Sequence, residues 1–115
     1  KQLKKKLRLS HIYNYYGMVE QTGSIFMECK TCSSFIASIF SDILIRGKNF
    51  EVLKNSQKGL IQTLSVLPTS YPGHSILTED IGEIVKKNKR CKLKEKHFLV
   101  HGRTSVSEVR GCSDV

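Results

Sequence analysis

Leu60-Ile61-Gln62-Thr63-Leu64-Ser65-Val66-Leu67 runs directly into Pro68, and this junction constrains the fold more than any other feature of the chain. The run is apolar and partly β-branched with polar residues interleaved, the pattern of a strand buried in part on both sides. Pro68 and Pro72 have no backbone N–H to give to a ladder, so a central strand cannot continue through this region. Segment 68–80 therefore reads as a loop with polar tips. Shorter β-prone stretches lie at 12–16, 25–27, 40–46, 81–85, 98–100 and 106–109. Gly47-Lys48-Asn49 is turn chemistry between 40–46 and 50–53, which predicts a hairpin of those two segments. Segment 2–9, basic with spaced leucines, reads as the end of a helix. Short strands separated by turn signals, with almost no helical periodicity, predict a β-rich piece.

With 115 residues the chain has room for one small domain and a modest core. It starts at Lys1 rather than Met, and residues 1–115 are read as one partial domain of a longer protein. No signal peptide is visible, because the basic start is not followed by an apolar run. The longest apolar-leaning stretch, 35–45, is interrupted by Ser38, Ser41 and Asp42 and cannot span a bilayer. The formal net charge of +9 is concentrated in two runs, Lys1–Arg8 and Lys86–Lys96. They hold twelve of the nineteen Lys and Arg, leaving seven bases against nine acids elsewhere. No aromatic stacking set accompanies either run, so solvated basic segments outweigh a nucleic-acid surface. A small basic module docking on nucleic acid or an anionic surface is the alternative to an enzyme. Nothing points to secretion, and Cys29, Cys32, Cys91 and Cys112 are expected as reduced thiols of a cytoplasmic protein.

Three segments place polar functional groups directly after β-prone residues. In Tyr15-Tyr16-Gly17-Met18-Val19-Glu20-Gln21, Gly17 lets the backbone approach a ligand and Glu20 offers a cation ligand. In Tyr71–Gly82, a Pro-Gly turn leads to the adjacent acids Glu79 and Asp80. In His101–Asp114, Gly102-Arg103 is an anion or hydroxyl contact, and Cys112 lies two residues after Arg110, whose guanidinium favours a thiolate. Taken singly, each segment is better explained as ordinary structure: a strand end, an acidic turn, a small buried thiol.

Their order is more informative. Tyr16-Gly17-Met18-Val19-Glu20, then Thr78-Glu79-Asp80, then Gly102-Arg103-Thr104-Ser105 follow the sequence of loops found in adenylate-forming enzymes. The closer resemblance is to the LuxE-like acyl-protein synthetases, the long-chain-fatty-acid–luciferin-component ligases. It is carried by Tyr16–Ile25, by Pro68-Thr69-Ser70-Tyr71-Pro72-Gly73-His74-Ser75 and by Arg110-Gly111-Cys112-Ser113-Asp114. It implies a mixed α/β fold, this chain being a β-rich fragment from the C-terminal portion of the large domain.

The resemblance also implies roles. Tyr16 would lie against the adenine of ATP, with Gly17 and Met18 in the same loop, and Glu20 would hold Mg2+ on the phosphates. Val19 stands where the superfamily has a Thr or Ser on the α-phosphate, so that contact is lost or passes to a group such as Gln21. Asp80 and Arg103 would bind the ribose, although Glu79 replaces a glycine and Ser105 an aspartate. Cys112 matches the cysteine that accepts the fatty acyl group as a thioester, for delivery to a partner fatty acyl reductase. The phosphate-binding loop of the superfamily is not among these 115 residues, so the fragment alone is expected to be inactive. Cys29-Lys30-Thr31-Cys32 has metal-ligand spacing, with Cys91 and His97 in a later segment. The resemblance extends to Cys and His in these two regions and to a structural zinc clamp. The later region lacks a clean Cys pair, however, so ordinary thiols outweigh zinc at this level.

Overall fold

The computed structural model describes residues 2–104. These residues form seven β-strands, one short α-helix and one 3₁₀ turn. Helix α1 (Gln2–Leu7) buries none of its residues. Strands β1 (Tyr15–Tyr16) and β2 (Phe26–Met27) make a small antiparallel pair. The other five form an antiparallel sheet in the order β3-β7-β6-β5-β4. Their spans are Phe35–Ile36 (β3), Ser41–Arg46 (β4), Gly59–Ser65 (β5), Ser75–Val85 (β6) and His97–Arg103 (β7). The β-rich expectation is met. Among the described residues, no helix is long and apolar enough to cross a membrane.

One face of the large sheet carries the core. Ile45 lies opposite Ile61 across β4–β5, and Ile84 lies opposite Phe98 across β6–β7. All four are buried, as are Ile43, Ala37 and Phe26. Strict alternation along β5 buries Ile61, Thr63 and Ser65 and leaves Leu60, Gln62 and Leu64 half-exposed. The small β1–β2 pair caps this face. Tyr16 and Phe26 set their rings against Phe98 at centroid distances of 6.0 and 5.4 Å, and Phe35 adds a fourth ring 5.7 Å from Phe98. These separations suit edge and tilted aromatic contacts. Gly82 is required at its position. A Cβ there would stand 2.6 Å from the Leu99 carbonyl oxygen and 2.7 Å from the Ile61 side chain. The Ile61 side chain thus fills the space above Gly82.

One expectation from the sequence is met in short form and two are corrected. Segment 50–53 turns back along the free edge of β4, as the turn at 47–49 predicts: Val52 bridges Arg46, the Gly47 N–H donates to the Glu51 carbonyl at 2.9 Å and the Leu53 N–H to the Ile45 carbonyl at 2.8 Å. The other edge of β4 pairs over six residues with β5. Segment 75–80 is strand, not loop: the turn closes by Gly73, and Ser75-Ile76-Leu77 resume pairing with β5. Finally, β5 ends at Ser65, before Val66 and Leu67. The segment 106–109 lies outside the described residues.

Candidate functional site

Polar residues interrupt β6 at Thr78-Glu79-Asp80, and the pairing responds. The β5–β6 register jumps from Leu60↔Ile81 to Gln62↔Leu77, an irregularity that sets the extra residues of β6 opposite Ile61. The Thr78 hydroxyl fills the gap. Its Oγ1 donates to the Ile61 carbonyl at 2.8 Å and accepts the Asp80 N–H at 3.1 Å. Bulges of this kind re-aim side chains at sheet edges and sites. Here the bulge fixes Asp80. On the other side, β7 carries its own register shift beside Gly102, whose φ of +127° lies in the region that glycine adopts readily. That turn of the backbone sets Arg103 opposite Asp80 in the ladder.

Asp80 is the node of the corner so formed. The Tyr16 phenol donates to its Oδ2 at 2.7 Å, and the Arg103 Nε stands 3.7 Å from its Oδ1. Burial, and then the Asp80 carboxylate, push the Tyr16 phenol well above the ordinary tyrosine range. Tyr16 is therefore a fixed donor at any physiological pH. Its ring packs among Phe26, Phe35 and Phe98 and remains only partly exposed.

The loop after Tyr16 is tied down at several points. Gly17 is exposed, and a Cβ there would meet only the Ser24 carbonyl oxygen at an ordinary 3.5 Å. The chain's own packing does not demand glycine at this position. Met18 sets its Sδ 3.9 Å from Thr63 Oγ1 of β5. Glu20 is exposed in the 3₁₀ turn Val19–Gln21. Gln21, by contrast, is buried, and its Nε2 donates to the Gly73 carbonyl at 2.8 Å. Its amide is thereby committed to a structural bond instead of being presented to a phosphate. The Tyr71 hydroxyl meets both the Thr22 N–H and its Oγ1 at 3.0 Å, and Ser24 donates to Ser65 at 2.7 Å. The two segments 16–25 and 68–75 are thus clasped into one surface. Gln21 and Tyr71 as clasps were not legible in the sequence, because their partners lie 52 and 49 positions away.

The structure brings Tyr16, Asp80 and Arg103 together and holds Gly17 and Met18 in the adjoining loop. Cys112 and Arg110 lie outside the described residues. The thiol-bearing segments form a second locus. The sulfurs of Cys29, Cys32 and Cys91 all lie within 4.8 Å of one another, and His97 Nε2 stands 3.7 Å from the Cys91 Sγ.

Compared with family models, residues 2–115 match the acyl-protein synthetase LuxE. The chain belongs to the LuxE acyl-protein synthetase family. The match covers the chain from the second residue to the last, including both clasped segments and the stretch that carries Cys112. Searches of curated proteins and of solved structures found no significant match. Membership of this family makes the chain part of an acyl-protein synthetase.

Proposed function

We propose that this chain supplies the nucleotide-facing and self-acylating end of an ATP-dependent fatty acid–protein ligase, as part of the large domain of an adenylate-forming enzyme. The convergence of Tyr16, Asp80 and Arg103 carries the reading. Two ribose hydroxyls need acceptors and a fixed geometry. Asp80 offers a carboxylate held by the Thr78 bulge, already oriented by a phenol that stays protonated. Arg103 places a cation beside it, suited to hydroxyl or phosphate oxygens. Gly17, which packing does not require, leaves space for an approaching base.

Glu20 fits a Mg2+ ligand: it is an exposed carboxylate at a turn adjoining the same loop. When bound, the ion would neutralise phosphate charge. The chain's own residues then have three tasks. Asp80 and Arg103 fix the ribose, Tyr16 supports Asp80 and borders the base, and Cys112 accepts the acyl group. In the first half-reaction the fatty carboxylate attacks the α-phosphorus of ATP, pyrophosphate leaves, and an acyl-adenylate forms. In the second, the Cys112 thiolate attacks the acyl carbonyl, AMP leaves, and a thioester remains on the protein. A thioester on the enzyme retains the activation needed by a reductase that makes aldehyde, which is the partner the family reading implies.

The test uses the full-length protein with ATP and labelled fatty acid. Label should appear on the wild-type protein in a hydroxylamine-labile bond. In Cys112→Ser, acyl-adenylate should still form while thioester labelling disappears. Persistent thioester labelling of that variant would refute the assignment of Cys112.

A further inference from the structure

About 20 Å from Arg103, at the other end of β7, three thiols cluster with His97 beside one of them, and the nucleotide corner uses none of the four. We propose that Cys29, Cys32, Cys91 and His97 bind a structural zinc ion that fastens the 29–34 turn to the 86–97 segment. The sequence alone favours ordinary thiols, since the later segment has no Cys pair. The geometry changes that weighing, because folding gathers the three sulfurs and sets His97 beside one of them.

Two of the spacings are those of a tetrahedral site. With Zn–S near 2.3 Å and Zn–N near 2.0–2.1 Å, tetrahedral angles put two sulfurs about 3.8 Å apart and a sulfur and a nitrogen about 3.6 Å apart. Cys29 Sγ and Cys91 Sγ are 3.7 Å apart, and Cys91 Sγ and His97 Nε2 are 3.7 Å apart. Cys32 completes the set of three mutually close sulfurs. Cys29, Cys91 and His97 are 4%, 7% and 2% exposed, so the site is closed, as structural zinc sites are. The same burial rules out Cys91 and His97 as a solvent-facing nucleophile pair.

The surroundings hold both segments in place. Cys32 Sγ accepts the Asn88 N–H at 3.4 Å, which ties the 29–34 turn to the 86–97 segment. The Cys29–Ser34 turn is closed by Cys29 N–H to the Ser34 carbonyl and Ser33 N–H to the Cys29 carbonyl, both at 2.8 Å. The Ser34 hydroxyl lies 2.9 Å from His97 Nδ1 and turns Nε2 toward the sulfurs, the outer support that metal-bound histidines commonly have.

The 86–94 stretch also lacks another anchor. Cys91 is its only buried residue, while Lys86–Arg90 and Lys92–Lys94 are exposed. Five lysines and an arginine in nine residues repel one another. Burying one thiol offsets little of the cost of ordering such a loop. A Cys3His zinc centre carries a net negative charge, which these cations complement. The strand that His97 opens continues with Phe98, against which Tyr16 packs, so the metal would also steady the base of the Asp80 corner.

The experiment measures metal in the full-length protein, purified under reducing conditions without added metal. A single zinc ion per chain is expected. Replacement by cobalt should give the intense visible bands of a tetrahedral site and sulfur-to-cobalt charge transfer in the near ultraviolet. Cys91→Ser and His97→Asn should lower the bound metal several-fold, whereas Cys112→Ser should keep it in full. If the ligand variants fail to fold, the wild-type stoichiometry and cobalt spectrum decide alone. Folded, metal-free wild-type protein, weak octahedral cobalt bands, a Cys29–Cys91 disulfide in the reduced preparation, or zinc retained by Cys29→Ser/Cys91→Ser would each overturn the proposal.

Discussion

The Tyr16 phenol donates a 2.7 Å hydrogen bond to Asp80, 64 positions later in the chain. This bond joins the small β1–β2 pair to the interrupted strand β6. Removing only the hydroxyl, in Tyr16→Phe, should cost about 1 kcal/mol of stability and preserve the ring packing. Tyr16→Ala should cost about 3 kcal/mol, because the contacts with Phe26, Phe35 and Phe98 go as well. Urea denaturation of the two variants against wild type measures the difference.

The same bond gives an alkaline limit to stability. Burial and the Asp80 carboxylate raise the folded-state pKa of Tyr16 above its unfolded value. The stabilisation is therefore complete below about pH 10, the ordinary tyrosine pKa. Above that pH the unfolded chain loses the proton while the folded protein keeps it, so stability falls toward the folded pKa. The urea midpoint of wild type should drop faster than that of Tyr16→Phe between about pH 9 and pH 11. Parallel curves for the two proteins would show that Tyr16 carries no such linkage.

Gly82→Ala should be destabilising although the position lies in the middle of a strand. The added methyl would collide with the Leu99 carbonyl oxygen, a backbone atom, and with Ile61 in the core. Overpacking of this kind costs about 1–3 kcal/mol. The urea midpoint should fall with the slope unchanged, and ATP affinity at saturating folded protein should stay close to wild type.

Much of this architecture is visible in local sequence. The alternation of Leu60–Ser65 and the prolines at 68 and 72 place β5 and its end to within two residues. What local sequence does not reveal is partner choice. Segment 50–53 follows its turn signal onto one edge of β4, but the long ladder that joins the other edge to β5 has no local signal. The polar Thr78-Glu79-Asp80 reads as loop, yet a side-chain hydroxyl bonded to the Ile61 carbonyl lets the strand pass through it. At the candidate site, the order of the three loops is legible from motif residues. The clasp by Gln21 and Tyr71 is not, since it depends on contacts that only the folded chain creates. The thiol cluster is likewise a product of folding: Cys29 and Cys91 are 62 positions apart and meet because β3 pairs with β7.

The central claim is that Asp80 holds the nucleotide, and ATP binding to Asp80→Ala in the full-length protein tests it most directly. Loss of hydrogen bonds to a charged acceptor is worth about 1–3 kcal/mol, so the dissociation constant for ATP should rise about fivefold or more. The account predicts that loss in a variant whose far-ultraviolet spectrum and urea transition show a folded protein. An unchanged ATP affinity in folded Asp80→Ala would contradict it.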